Sequence, residues 1–258
     1  MNMNANSPTW LLTLRTLVQF PRNPMVLGFS VPPVLMMFVV FGTLFAAVRH
    51  LPGFLTDNYY EYLAPAAVLM TTVPGIANSA VALATDFQNG YLHKLLTTPA
   101  SIGSIMLGRL LADGVRLFIQ GGAVLLLALA LGAQIATGFA GALLMLLIGT
   151  LFGIVTFGVL TANIALKTKD PAAVQAVFPM AFLMIFLTTA YQTEDQVESG
   201  VLRAIIDANP TEYVLRAMRE LMLTGYDWDA IGLAFVVILG LGVLGLPLTI
   251  RNYRSVYR

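Results

Sequence analysis

The sequence of 258 residues contains no cysteine, which excludes disulfides, thiolate metal sites and cysteine nucleophiles. Charge is also scarce: Asp, Glu, Lys and Arg make up 10% of the residues, against about 25% in soluble domains. No Gly-Lys pair occurs, so no G-x-x-x-x-G-K-[ST] loop is present to cradle the phosphates of a nucleotide. The net charge is +1 and no basic tract stands out, so nucleic acid is not an expected partner. The two histidines, His50 and His93, lie far apart, and there is no H-E-x-x-H. No metal site and no catalytic residue is expected. Ser and Thr are frequent, but without a neighbouring His or Lys to activate them they read as hydrogen bonds between helices. The N-terminus lacks the charged start, short apolar stretch and small-residue cleavage site of a signal peptide.

What is abundant is apolar surface. Hydrophobic residues form 58% of the chain, and its mean hydropathy is +0.80. Apolar runs of about 20 residues, enough for a helix to cross the hydrocarbon core, recur along the whole length. The pattern predicts an all-α integral membrane protein with six transmembrane helices: Met25–Val48, Tyr62–Ala84, Leu117–Gly132, Phe139–Leu166, Ala172–Tyr191 and Ile231–Ile250. The third run is short, and its helix is expected to begin near Ser104, with Arg109, Asp113 and Arg116 on an extension beyond the membrane. There, i,i+4 and i,i+3 spacings let the three side chains pair on one surface. Residues 25–258 then form one permease-like membrane domain. Residues 1–24 form an interfacial segment, with Trp10, Leu11, Leu14, Leu17 and Val18 on one helical face.

With the N-terminus inside, ten of the 14 Lys and Arg residues fall on the cytoplasmic side, so the expected topology is N-in, C-in. The external segment 192–230 carries helix signals: Asn209 as N-cap, Pro210 at the first position, Glu212 to complete a capping box and Gly225 as a stop. Val214, Leu215, Met218, Leu221 and Met222 form an apolar stripe, with Arg216, Arg219 and Glu220 expected to face away. A shorter amphipathic piece at Val201, Leu202, Ile205 and Ile206 precedes it. These outer helices are expected to lie on the outer leaflet or over the outer ends of the spans.

As drawn, the six runs contain no ionisable residue. Ion-coupled transporters need such a group inside the bilayer, which disfavours a secondary transporter. In the second span, Thr71, Gly75, Asn78, Ala82 and Thr85 form a small, polar face, suited to close packing or to lining a transport path. Pro74-Gly75 offers a kink and hinge. In the fifth span, Phe178, Phe182 and Phe186 share one face, with Thr188 and Thr189 near its outer end. That aromatic stripe faces either lipid or a substrate path. Gly149 and Gly153 form a G-x-x-x-G expected to serve packing.

Between the second and third spans, residues 86–103 form a cytoplasmic loop with an apolar face of Phe87, Tyr91, Leu92, Leu95 and Leu96, broken by Gly90 and ended by Pro99. A short apolar-faced helix of this kind fits docking to a cytosolic partner. Here the chain resembles the type 2 permeases of the ABC transporter superfamily, especially the daunorubicin-resistance-like multidrug exporters. The resemblance rests on Asp86, Gly90, Leu95, Leu96, Pro99, Ser101, Gly108 and Arg109, and on the layout of the whole chain, including the small 167–171 loop. The chain departs from the pattern at His93, where an acidic residue is usual, and at Ile102-Gly103, where a basic one is common.

The resemblance implies a permease that works as a homodimer with two ABC ATPase subunits. ATP and Mg would be bound by those partners and no cofactor by this chain. Asp86, Phe87, Gly90, Tyr91, Leu92, Lys94 and Leu95 would form the ATPase-coupling element in a bacterial cytoplasmic membrane. Thr71, Gly75, Asn78, Phe178, Phe182 and Thr188 are the candidate transport path. The implied function is export of an amphipathic drug-like or lipid-like molecule by alternating access. The alternatives are lipid-linked glycan or teichoic acid export, an ATP-independent channel or secondary transporter, and a membrane scaffold.

Overall fold

The computed structural model describes residues 32–50, 54–90, 102–191, 197 and 199–255, and every regular element among them is helical. Helix α1 runs Pro32–Leu44 and passes into a 3₁₀ turn, Ala46–His50. Helix α2, Tyr59–Gln88, starts where the Asn58 side chain accepts from the Tyr60 N–H and stops at Gly90, whose φ of 66° the residue tolerates because it lacks a Cβ. Helix α3 spans Ile102–Ala130. Helix α4, Gly138–Gly153, continues through a π-helical turn at Ile154–Gly158 into α5, Val159–Thr168. Lys169, at φ 54°, ends that rod. Asp170 then caps α6, Pro171–Gln175, by accepting from the Ala172 N–H. Helices α7 (Phe178–Phe186), α8 (Gly200–Ala208), α9 (Pro210–Leu223) and α10 (Trp228–Ser255) complete the chain.

Among the described residues, four helical stretches are long and apolar enough to cross a membrane: Tyr59–Gln88, Leu107–Ala130, Gly138–Thr168 and Trp228–Asn252. They coincide with the second, third, fourth and sixth expected spans. The first expected span is described only from Pro32, and residues 1–24 with their interfacial helix lie outside the described residues. The fifth differs from expectation. Instead of one helix over Ala172–Tyr191, the chain forms α6, a break, α7 and a non-helical stretch from Leu187 to Tyr191. Pro179, in the first turn of α7, lacks the N–H that would bond to the Gln175 carbonyl, which weakens the helix at the break. Beyond α7, partners outside the helix hold the backbone: Asn209 Nδ2 donates to the Met184 and Leu187 carbonyls at 2.6 and 2.8 Å. Tyr62 and Tyr59 hydroxyls donate to the Thr189 and Tyr191 carbonyls at 2.7 and 2.8 Å. Irregular backbone at this depth is tolerated only where protein satisfies it.

Helix α2 is the axle of the bundle. It packs against α1, α3, α4, α5, α6, α7 and α9, and from Tyr62 to Ala77 every residue on it is buried. That is why its apolar residues show no single-sided stripe: a helix apolar all round belongs in the middle. Helix α9 is no surface ornament either. Its stripe of Val214, Leu215, Met218, Leu221 and Met222 is fully buried against α2, α4 and α10. Its C-terminal end is tied down by the Ala136 N–H donating to the Met222 carbonyl and the Thr137 hydroxyl donating to the Leu221 carbonyl, at 2.9 and 2.6 Å. The shorter α8 buries Ile206 and leaves Val201 and Ile205 exposed, as an amphipathic piece at an interface does.

The G-x-x-x-G of the fourth span is a packing device, as expected. A Cβ on Gly153 would stand 2.7 Å from Thr72 Cβ, and one on Gly149 would touch Val68 and Met218. Helix α4 therefore crosses α2 at backbone distance. Gly153→Ala should force the two helices apart and lower stability by about 1–3 kcal/mol, the usual cost of overpacking. Gly232→Ala, where nothing lies within 4 Å, should be neutral or slightly stabilising. Thermal unfolding of the two variants in one detergent checks the contrast.

Candidate functional site

Two polar clusters interrupt the apolar bundle, one at each end of α2. At the Asp86 end, Arg109 of α3 pairs with Asp86 and donates to the Ser79 carbonyl at 3.5 Å. One turn further in, Ser79 Oγ donates to Asp113 Oδ2 at 2.7 Å, and Asp113 pairs with Arg116 at 3.6 Å. Arg116 Nη1 also donates to the Gly75 carbonyl at 3.3 Å. Asp113 and Arg116 are each only 8% exposed. Beyond them lies Gln120, 1% exposed; its amide finds no hydrogen-bond partner among the described residues. Its Oε1 would stand 2.6 Å from a Cβ on Gly75, so the side chain lies directly on the α2 backbone. A cavity of about 40 Å³, with mostly apolar walls into which Ser79, Arg109, Asp113, Thr161 and Thr249 also face, adjoins this cluster.

The structure adds to the sequence reading at this point. Asp113 and Arg116 are buried against α2 rather than lying on an exposed helix surface, and with Arg109 they belong to the long apolar stretch Leu107–Ala130. The Asp113–Arg116 pair forms as the spacing suggests, but Arg109 turns to Asp86 across 23 positions. Ionisable groups thus lie inside the bundle.

At the opposite end, Glu212 and Arg219 of α9 grip Thr189. Glu212 accepts from the Thr189 N–H at 2.7 Å and from its hydroxyl at 2.6 Å. Arg219 donates to the Thr189 hydroxyl at 2.9 Å and to its carbonyl at 2.7 Å. The Arg219 guanidinium also lies 4.1 Å over the Tyr62 ring, a close cation–π contact. Two expectations fail here. Arg219 is buried rather than facing away, whereas Arg216 is exposed as expected. Glu212 does not close a capping box, because its carboxylate is occupied by Thr189; Asn209 does cap α9, accepting from the Thr211 N–H at 3.0 Å. The stripe of apolar residues locates α9 but gives no sign of which polar residues on its flanks are drawn in.

Of the proposed coupling residues, Asp86, Phe87 and Gly90 are described; Tyr91, Leu92, Lys94 and Leu95 lie outside the described residues. Phe87 is buried with Leu83, Ala84, Ala165, Leu166 and Val174, under Lys169 Nζ at 5.6 Å from its ring centroid. Gln88 Nε2 donates to the Lys169 carbonyl at 3.2 Å. The end of α2 is therefore bound to α3 through Asp86 and to the 167–171 turn through Phe87 and Gln88.

The proposed path residues separate into two groups. Thr71 and Thr188 are buried and spend their hydroxyls on the Val68 and Ile185 carbonyls at 2.7 and 2.5 Å. Gly75 is covered by Leu117 and Gln120, and Asn78 is half-buried. Phe178 and Phe182, also half-buried, begin an aromatic ladder with centroid spacings of 5.1, 6.4 and 5.3 Å through Phe186 to Tyr191, which meets Phe41 of α1 edge-on at 5.2 Å.

Removing Arg219 leaves the buried Glu212 carboxylate and Thr189 carbonyl poorly matched, so Arg219→Ala should cost about 3 kcal/mol or more. Arg219→Lys should restore little, because an ammonium cannot reach the hydroxyl, the carbonyl and the ring in one plane. Arg216→Ala, on the exposed side of the same helix, should be near neutral. Detergent melting curves of the three variants test the assignment.

Residues 8–223 match the model of the ABC-2 type transporter family. The chain is 27% identical to the daunorubicin resistance ABC transporter permease protein DrrB1 of Streptomyces coeruleorubidus over 78% of this chain and 70% of that protein. It is 28% identical to the transport permease ycf38 of Cyanophora paradoxa, over 82% and 73%. To a protein of Mycobacterium tuberculosis named as the doxorubicin resistance ABC transporter permease DrrC it is 25% identical, over 84% and 77%. With long apolar helices packed round a buried axle and a family match across most of its length, the chain is a multi-pass membrane protein of the ABC-2 type transporter family, a transport subunit and not itself an enzyme.

Proposed function

We propose that the chain is the membrane subunit of an ABC exporter of amphipathic drug-like or lipid-like molecules, with six spans, both termini in the cytoplasm of a bacterial cell and a second copy as its partner. The single observation that supports coupling to an ATPase is the anchoring of the α2 end. The segment after Gly90 emerges from a helix end held by Asp86–Arg109 on one side and by Phe87, Gln88 and Lys169 on the other. A push on residues 91–95 would reach the axle and not dissipate in a loop. Asp86, Phe87, Gly90, Tyr91, Leu92, Lys94 and Leu95 are the coupling element in this reading, with two ATPase copies binding ATP and Mg.

The path runs beside α2 and α7. Pro74 removes one backbone bond from α2, and its neighbour Gly75 gives its carbonyl to Arg116, so α2 can bend there between its two polar anchors. Bending would uncover Thr71, Gly75 and Asn78, while Phe178, Phe182 and Thr188 form the aromatic and hydroxyl-bearing wall. Drug export ranks first because two of the relatives bear the names of drug-resistance permeases. Export of a lipid-linked glycan or teichoic acid is the alternative within the family.

The natural lack of cysteine makes the test direct. Single cysteines at Tyr91 or Lys94, with one cysteine in the docking groove of a co-expressed ATPase, should crosslink in membranes with a yield that changes on adding ATP. Labelling of both positions from the cytoplasm without any crosslink would overturn the coupling assignment and favour an ATP-independent channel or secondary transporter, or a scaffold.

A further inference from the structure

A second, larger hollow lies away from the α2 axle. It is a groove of about 790 Å³ between the π-turn and α5 on one side and α10 on the other, with Met184 of α7 at its margin, within the usual size of a small-molecule site of about 300–1,000 Å³. Its wall is apolar and open: Leu160, Leu244 and Leu248 line it and remain 44%, 73% and 56% exposed. At the Asp86 end the chemistry changes. Lys167 and Arg251 line that end: Lys167 stands one residue before the end of α5 at Thr168, and Arg251 lies in the last turns of α10. Between them, Asn163 and Asn252 are fixed in place. Asn252 Nδ2 donates to Asn163 Oδ1 at 2.6 Å, and Asn163 Nδ2 donates to Thr249 Oγ1 at 2.8 Å. This amide chain joins α5 to α10 and sets the two basic side chains on either side of one opening.

Among the described residues, none that lines the groove is acidic. Neither Lys167 nor Arg251 forms an ion pair among the described residues. Asp170, the acidic residue next in sequence to Lys167, has its Oδ1 on the Ala172 N–H at 2.9 Å as the cap of α6. From Leu241 to Arg251 the wall extends ten residues, about 15 Å of helix, comparable to much of an acyl chain. A hydrocarbon slot that ends in two such cations complements one kind of molecule: an apolar tail bearing a negatively charged head. It repels an amphiphile whose head is an amine.

We propose that this groove binds an anionic phospholipid from the leaflet at the Asp86 end, its phosphate between Lys167 and Arg251 and its acyl chain along Leu160, Leu244 and Leu248. This site is separate from the ATPase-coupling element and from the path beside α2 and α7. It is tested on the permease without its ATPase, so its failure and that of the exporter reading are told apart.

Native mass spectrometry of the full chain, released from bilayers of equal phosphatidylglycerol and phosphatidylcholine, reads the preference. Wild type should retain phosphatidylglycerol about tenfold over phosphatidylcholine. Lys167→Gln with Arg251→Gln should abolish that ratio, and Lys167→Glu with Arg251→Glu should invert it toward a cationic lipid. Leu244→Trp, which fills the slot and leaves both cations, should reduce retention severalfold. Free glycerol phosphate, a head without a tail, should not displace the lipid. Equal retention of both lipids by wild type, or a preference that survives the double Gln change, would overturn the site. An unchanged preference in Leu244→Trp would mean surface charge alone. A disulfide between copies through Leu244→Cys, insensitive to lipid, would assign the groove to a second permease instead.

Discussion

The burial of α2 on all sides is the constraint on which the rest of the architecture depends. From Tyr62 to Ala77 the helix exposes no side chain to water, so a polar group on or near that stretch costs about 1–3 kcal/mol if it finds no partner within the protein. The partners come from elements far away in sequence. Arg109, Asp113 and Arg116 reach α2 from α3, and Arg219 reaches it from α9 through the face of Tyr62. The order of helices round the axle is thereby tied to a few charged side chains, each of which would be costly to leave unpaired in any other arrangement. Apolar packing supplies the bulk of contact; the polar pairings limit which register of it is allowed.

Much of this fold is legible in local sequence. Helix ends are set by neighbours within a few residues, so Asn209 and Pro210 at the start of α9 and the stop at Gly225 can be read directly. The long apolar helices and the close crossing at Gly149 and Gly153 are likewise readable, because composition and spacing determine both. Asp113, Arg116, Glu212 and Arg219 are not. Local pattern reads each as solvent-facing or as a cap, because its partner is set by tertiary packing. Ser79 and Asp113 are 34 positions apart, and Thr189 and Arg219 are 30 apart; no periodicity links them. The break in the fifth span has a signal in Pro179, but whether a proline kinks or interrupts a helix depends on who receives the freed carbonyls. Here Asn209, Tyr59 and Tyr62 hold the backbone beyond α7.

For the candidate site the division is similar. The loop pattern picks out the Asp86, Phe87 and Gly90 cluster, but its attachment to the 167–171 turn depends on geometry that no motif encodes. The small, polar face of α2 is recognisable as a face, yet its Thr71 and Gly75 end is closed by neighbours while Asn78, Ala82 and Thr85 are half-buried or exposed. Leu117 and Gln120 cover Gly75, and Thr71 bonds to its own helix.

That closure has a mechanical consequence. The two polar clusters hold α2 at Asp86 and at Tyr62, while Pro74 lies between them with one backbone bond fewer than an ordinary turn. A rod clamped at both ends and weakened between them bends at the weak point. The residue that would register the bend is already there. Gln120 lies against Gly75 with its amide unpartnered among the described residues, and an unsatisfied buried amide lowers the stability of the state that contains it. If α2 opens at Pro74-Gly75, backbone groups released by the kink come within the reach of that amide and of Arg116. In the proposed exporter, the straight and bent forms would then differ by an exchange of hydrogen bonds and not by their loss, which would keep their energies close enough for a partner acting at the Asp86 end to choose between them.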